Sequence, residues 1–139
     1  MPKKIPFVKF TDASITTPGL FDFKTNSPVG SKNKNYFKGK VVILVNEITQ
    51  SSSEFHAMAY RVHPNALVIG STTAGADGNV TNFYLPGNIF TLFSGIGVYY
   101  PDGGETQRIG IVPDIEVKPT INGIRSEERR VGKECRSRG

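Results

Sequence analysis

The run Val41-Val42-Ile43-Leu44-Val45-Asn46-Glu47-Ile48-Thr49-Gln50-Ser51-Ser52-Ser53-Glu54 decides the fold of this chain. It opens with apolar, mostly β-branched residues, which predict a strand buried on both faces. The serines that follow predict a tight turn and the start of a helix. A strand, a turn and a helix that begins at a serine can make one hydroxyl nucleophilic, because the first helical N–H groups point at the negative charge that develops there.

An amphipathic helix is predicted directly after the serines. Its apolar side chains recur at helical spacing, at Phe55, Met58, Ala59 and Val62. Pro64 ends this pattern, and the apolar run 66–70 predicts a second buried strand. A strand, a short helix and a second strand together predict a right-handed βαβ unit.

The sequence downstream predicts antiparallel structure. Residues 80–85 and 89–93 are separated by Pro86-Gly87-Asn88, which predicts a hairpin. A turn is predicted at 101–104, and residues 109–117 predict a short strand broken by proline.

Changes in composition divide the chain into three segments. Residues 1–39 are rich in Pro, Lys, Thr, Ser and Asn, which predicts an extended arm over a larger body. Residues 40–123 form the predicted body. Residues 124–139 show no periodicity and resemble translated vector sequence, so we set them aside as a non-native tail. The basic start, residues 1–6, is followed by no long apolar stretch and does not predict a signal peptide.

Composition and charge exclude several classes of protein. With 37% hydrophobic and 21% charged residues in 139, the chain is typical of one globular domain. Residues 126–139 contribute +2 to the net charge of +5, and no basic stripe remains, so we expect no nucleic-acid partner. The only cysteine, Cys135, lies in the tail, so the body predicts no thiolate metal site. No apolar run approaches the roughly 20 residues of a membrane-spanning helix, so no membrane insertion is expected.

Several segments, in this order, resemble the S41 family of tail-specific (C-terminal processing) serine peptidases. They are residues 42–47, 49–54, 68–70 with 73–75, 100–103 and 110–115. The resemblance covers roughly residues 38–120. It implies an α/β fold of the ClpP/crotonase-like type, an incomplete spiral of βα units with an antiparallel hairpin. It also implies that the chain is a C-terminal fragment of a catalytic domain.

The resemblance assigns the serines of the motif. The nucleophile is the serine two residues after Thr49, which is Ser51, and the backbone N–H of Ser52 supplies one oxyanion donor. Ser53 lies closer to the helix body, where its hydroxyl is expected to bond backward to the chain. A purely structural alternative exists, because Ser51 and Glu54 also fit a capping box worth about 1 kcal/mol.

The general base is the point at which the chain departs from the family pattern. In the processing branch a desolvated lysine follows the Thr-x-Gly loop as the base. Ala76 occupies that position here, so the Ser–Lys dyad is not available and the chain resembles the tricorn-like branch. That branch takes a histidine from far upstream. His56 and His63, further along the helix, are expected to be ordinary surface histidines, so the base is expected in a missing N-terminal part of the protein.

A late glutamate assists the histidine in the tricorn-like branch. It maps to a strand expected between Gly103 and Gly110, where Gln107 aligns and Glu105 lies two residues earlier on the same face. Either side chain could orient an imidazole. Asp77, next to Ala76, is expected to form a turn.

The resemblance therefore implies a serine endopeptidase that hydrolyses polypeptides through an acyl-enzyme, without metal or organic cofactor. Its expected partners are a polypeptide substrate and the missing N-terminal part of its own chain, and it is expected to be inactive alone. Two alternatives stay open: a non-catalytic peptide-binding relative and a crotonase-type acyl-CoA enzyme. The family and the cysteine-free body favour the bacterial periplasm or cell envelope.

Overall fold

The computed structural model describes residue 1, residues 3–123 and residue 125. The elements along the chain are β1 (Ile5–Ala13), β2 (Phe21–Phe23), β3 (Ser27–Val29), β4 (Val41–Val45), α1 (Ser52–Arg61), β5 (Ala66–Gly70), β6 (Val80–Leu85), β7 (Ile89–Ser94), β8 (Val98–Tyr99) and β9 (Ile115–Glu116). They form an α/β fold. The predicted tail, 124–139, falls outside the described residues except for Arg125.

The predicted strand–helix–strand unit is present. β4 and β5 are parallel and pair along their whole length, from Val41 opposite Ala66 to Val45 opposite Gly70, and β9 is parallel to β5 on its other edge. Helix α1 connects β4 to β5. Its Ala57 packs with Val45 and Val68 in a buried cluster.

The expectation that β4 is buried on both faces is wrong. Successive side chains of a strand point to opposite faces, and α1 covers only the face of Ile43 and Val45. On the other face Val42 is 55% exposed and Leu44 is 77% exposed, because no part of the described chain covers them.

The first strand belongs to the main core. Residues 1–39 were expected as an extended arm, and they do contain β1, β2 and β3. β1 pairs antiparallel with β2, β3 and β8. Its Phe7 and Val8 are buried with Met58 of α1, in a cluster that also holds Ala59, Val98 and Ile111. Helix α1 is therefore fixed from two sides.

The predicted hairpin is present as β6 and β7, paired from Val80 opposite Ser94 to Leu85 opposite Ile89. The strand expected between Gly103 and Gly110 is absent. That segment forms turns, with one isolated bridge between Tyr99 and Glu105. Arg108 and Gly110 both have positive φ, which an extended strand does not tolerate. No helix in the described part of the chain is long and apolar enough to cross a bilayer.

Candidate active site

The turn between β4 and α1 is held by its own side chains. The Thr49 hydroxyl accepts a hydrogen bond from Asn46 N–H at 3.0 Å and donates one to Asn46 Oδ1 at 2.9 Å. Thr49 N–H donates to the Asn46 carbonyl at 3.0 Å. Thr49 therefore closes the turn that presents the next residues, which gives the threonine of the motif a structural reason.

Ser51 adopts a backbone conformation that side chains rarely take. It is the N-cap of α1 with φ 54° and ψ −124°, on a sharp strand-to-helix turn. A non-glycine residue at positive φ is strained, and such strain is concentrated at functional sites. A strained serine on a strand–turn–helix is also the geometry of a nucleophile elbow. The predicted start of the helix at Ser51 is confirmed.

The hydrogen bonds around Ser51 leave its hydroxyl and the backbone N–H of Ser52 available to a bound substrate. Ser51 and Glu54 stand in a capping-box arrangement, yet the Ser51 hydroxyl makes no cap hydrogen bond. Ser51 N–H donates to the Ala76 carbonyl at 3.0 Å and to Glu54 Oε2 at 3.1 Å. Ser52 N–H, at the first helical position, has no acceptor in the described structure. It is therefore free to donate to an oxyanion, the role that the resemblance implies for it.

His56 lies beside Ser52 and not beside Ser51. Its Nδ1 is 2.5 Å from the Ser52 carbonyl oxygen and 3.3 Å from Ser52 Oγ. A ring nitrogen that donates to the carbonyl has no lone pair left for the hydroxyl proton. His63 is turned to another region, with Nε2 2.9 Å from the Phe37 carbonyl.

Glu54 joins the serine turn to the loop after β5. Its side chain is 1% exposed, and its carboxylate accepts four hydrogen bonds. The donors are Thr73 Oγ1 at 2.5 Å, Gly75 N–H at 2.8 Å, Ala76 N–H at 3.0 Å and Ser51 N–H at 3.1 Å. A buried carboxylate is tolerated only when it is satisfied in this way. The capping-box interpretation found the Ser51 bond but missed the other three, because the loop is distant in sequence.

The same loop is fixed at two further points. The Thr73 hydroxyl accepts from Ile111 N–H at 2.6 Å, and Ala74 N–H donates to the Thr49 carbonyl at 2.9 Å. These bonds place Ala76 against the backbone of Ser51. A methyl group therefore stands where the processing branch is expected to have its lysine.

Gln107 and Glu105 reach the same region but neither hydrogen-bonds Ser51. Gln107 Nε2 donates to the carbonyls of Asp77 at 2.7 Å and Ile96 at 3.0 Å, and Gln107 Oε1 accepts from Val98 N–H at 3.3 Å. Its amide thus holds two loops together. Glu105 is exposed and lies 3.6 Å from the Arg108 guanidinium.

A cleft of about 600 Å³ opens beside the loop that contacts Ser51. One wall is formed by Gly75, Ala76 and Asp77, and Glu105, Gln107 and Arg108 line another part. Apolar and small residues complete the lining, among them Phe21, Gly95, Ile96, Gly97 and Tyr99. The cleft is large enough for side chains of a bound peptide.

Asp77, which was expected to form a turn, is buried in the loop after β5. It is 6% exposed, its Oδ1 accepts from its neighbour Gly78 N–H at 2.7 Å, and its buried Oδ2 has no partner among the residues that the structure describes. Burial raises the pKa of Asp77, the Gly78 hydrogen bond opposes this, and the nearby charge of Glu54 raises it further. No pattern in the sequence distinguishes this aspartate from an ordinary turn former.

The raised pKa predicts that Asp77→Asn stabilises the chain in a pH-dependent way. A folded pKa above the unfolded value means that stability falls as pH rises from the ordinary value of 3.8 through the folded pKa. Asparagine does not ionise, so the variant does not lose stability in this way as the pH rises. We expect a higher melting temperature for Asp77→Asn at pH 7 and equal melting temperatures near pH 3. Equal melting temperatures at both pH values would show that the ionised carboxylate is not destabilising.

Comparison with known proteins identifies the family. The model of peptidase family S41 matches residues 8–117, most of the chain. This chain belongs to peptidase family S41. An uncharacterized protein of Chlamydia muridarum is 31% identical over 118 residues, which are 82% of this chain and 19% of that protein. The S41 chain thus spans about a fifth of the length of the curated relatives it matches.

Solved structures show the same fold. A candidate peptidase from Parabacteroides merdae superposes with a TM-score of 0.71 at 22% identity, over 95% of this S41 chain and 43% of that one. Mature CPAF superposes with a TM-score of 0.59 at 25% identity, over 72% of this chain and 21% of that one. This S41 chain therefore shares its fold with parts of longer solved proteins.

Proposed function

We propose that the protein is a serine peptidase of the tail-specific type in which Ser51 is the nucleophile. The observation that carries this proposal is the strained conformation of Ser51 at the N-cap of α1, with the Ser52 N–H unpaired beside it in the described structure. Strain of this kind has no benefit for folding. A capping serine alone would not require it.

The proposed reaction proceeds through an acyl-enzyme. Ser51 Oγ forms a bond to the scissile carbonyl carbon while its proton passes to a general base, and the carbonyl oxygen becomes an oxyanion that accepts from Ser52 N–H. The C–N bond then breaks, and the base returns the proton to the leaving amine. Water, deprotonated by the same base, attacks the acyl carbon; the ester C–O bond to Ser51 breaks, and the base returns the proton to Ser51 Oγ.

The base is proposed to lie outside these 139 residues. Ala76 replaces the lysine expected in the processing branch, and the described structure brings neither His56 nor His63 to Ser51. We therefore propose a tricorn-like branch, a ClpP/crotonase-like spiral completed by further chain, and a histidine supplied by an upstream part of the same protein. Glu105 and Gln107 stay candidates for supporting that histidine, since both line the cleft.

The 139-residue chain is accordingly expected to be inactive by itself and only marginally stable. Without a base, the serine hydroxyl is a weak nucleophile near neutral pH. A fluorophosphonate probe should leave the isolated chain unlabelled and should label the protein made from its full reading frame, with no label in the Ser51→Ala variant. Ser51-dependent peptide hydrolysis by the isolated chain would show instead that a base lies within it. His56, His63, Asp77 and Glu105 would then be the residues to test.

A non-catalytic peptide-binding relative is the second candidate, and the methyl group of Ala76 beside Ser51 is the observation that favours it. The same labelling experiment separates the two functions. Peptide binding by the full-length protein without any labelling at Ser51 would favour the binding protein. The crotonase-type alternative requires no reactive serine, so labelling at Ser51 also excludes it.

A further inference from the structure

Asp77 has an unused acceptor in the wall of the cleft. Asp77 is one of the residues that line the cleft, it is more than nine-tenths buried, and its Oδ2 has no hydrogen-bond partner in the described structure. A buried acceptor without a donor is unfavourable, because it has lost its hydrogen bonds to water and gained none in return. Native structures retain few such groups, and each requires a physical reason such as a missing partner.

The other acidic groups near the serine turn are already occupied. Glu54 accepts four hydrogen bonds and has a structural role. Glu105 is exposed to water and lies next to the Arg108 guanidinium. The amide of Gln107 is used by three backbone groups. Asp77 therefore differs from its neighbours because one of its buried carboxylate oxygens, Oδ2, has no hydrogen-bond partner in the described part of the chain.

The position of Asp77 is close to the proposed nucleophile. Ser51 N–H donates to the carbonyl of Ala76, the residue directly before Asp77, at 3.0 Å. Gln107 Nε2 fixes the Asp77 carbonyl at 2.7 Å, so the backbone that carries the carboxyl group is held on both sides. The charged groups around the carboxyl are Glu54 from α1 and Glu105 and Arg108 across the cleft. Of these groups, Glu54 acts on the pKa of Asp77, and its negative charge favours a cationic partner for the Asp77 carboxyl group.

We propose that Asp77 is the positioning carboxylate of this active site, accepting the N–H of the imidazole that serves as general base for Ser51. This inference rests on the proposed function. The described structure turns both histidines of the chain elsewhere, so the imidazole comes from outside it. Asp77 holds one ring nitrogen protonated, so the other takes the Ser51 proton, and its negative charge stabilises the imidazolium while the carboxylate stays ionised.

The test is the pH profile of kcat/KM in the protein made from the full reading frame. Asp77→Asn keeps the shape of the side chain and removes its charge. We expect a loss of kcat on the order of 10²–10⁴-fold near neutral pH with little change in KM. The acid limb of kcat/KM should move to lower pH, because an imidazolium without its carboxylate loses its proton more easily. Asp22→Asn, an exposed aspartate on β2, is the matched control and should keep the parent profile.

Three results would overturn the role of Asp77. The first is an Asp77→Asn variant with the parent rate and acid limb. The second is a Glu105→Gln variant that shows the loss and the shift in its place. The third is an effect of Asp77→Asn on KM alone, confined to substrates with basic side chains, which would make Asp77 a substrate contact. Ser51→Ala keeps the two proposals apart, since an active Ser51→Ala variant contradicts the serine peptidase itself. Melting temperatures of all variants exclude misfolding as the cause.

Discussion

Ser51→Gly is expected to stabilise the protein while it abolishes peptidase activity. Glycine adopts positive φ without the steric cost that other residues meet, which is on the order of 1 kcal/mol. Glycine at an N-cap costs only a few tenths of a kcal/mol relative to serine. Because the Ser51 hydroxyl makes no cap hydrogen bond, little else is lost. Thermal unfolding of the chain measures the stability, and kcat of the full-length protein should fall by several orders of magnitude.

Ser51→Ala and Ser53→Ala complete this test. Ser51→Ala retains a Cβ at positive φ, so it should lose activity equally without the gain in stability. Ser53→Ala should leave activity within a few-fold of the parent protein. An active Ser51→Ala variant together with an inactive Ser53→Ala variant would show that Ser53 is the nucleophile. A Ser51→Gly variant that is less stable than Ser51→Ala would contradict the strain at this position.

Glu54→Gln is expected to destabilise the chain more than any change at an exposed carboxylate. The carboxylate accepts four hydrogen bonds, whereas an amide presents an NH₂ group to some of the same donors. Hydrogen bonds to charged groups are worth about 1.5–3 kcal/mol each, so a loss of about 3 kcal/mol in the free energy of unfolding is expected. Urea unfolding measures it.

Glu116→Gln is the matched control for that change. Glu116 is exposed on β9 and forms a surface ion pair with Lys118, an interaction worth about 0–1 kcal/mol. Glu54→Gln and Glu116→Gln should therefore differ by more than 1.5 kcal/mol in free energy of unfolding, by the estimates just given. Equal effects would mean that Glu54 does not hold the loop to the serine turn.

Local patterns predict the elements of this fold that depend on neighbouring residues. The apolar run of β4, the helical spacing of Phe55 and Met58 and the turn within the hairpin all act over a few residues, and the structure contains each element. The contacts of β1 could not be predicted in this way. Its pairing with β8 joins residues about 90 positions apart, and no local pattern specifies such a partner. The exposure of Val42 and Leu44 on β4 was also missed, because an apolar run does not show whether other parts of the chain cover both faces of a strand.

The same distinction between local patterns and distant contacts applies to the candidate site. Ser51 was assigned from the resemblance to the family, and the start of the helix at this residue is a local feature of the sequence. The three loop donors to Glu54 and the unpaired oxygen of Asp77 are properties of the folded arrangement. The strand expected around Glu105 and Gln107 was wrong because the positive φ of Arg108, a conformation that arginine seldom adopts, breaks it.

The most direct measurement is the mass-spectrometric identification of the residue that a fluorophosphonate modifies in the protein made from the full reading frame. We expect one modified peptide, with the label on Ser51, and none after Ser51→Ala. We also expect the isolated 139-residue chain to stay unmodified. A label on Ser52 or Ser53, or an unlabelled protein that nonetheless cleaves peptides, would contradict the assignment of Ser51 as the nucleophile.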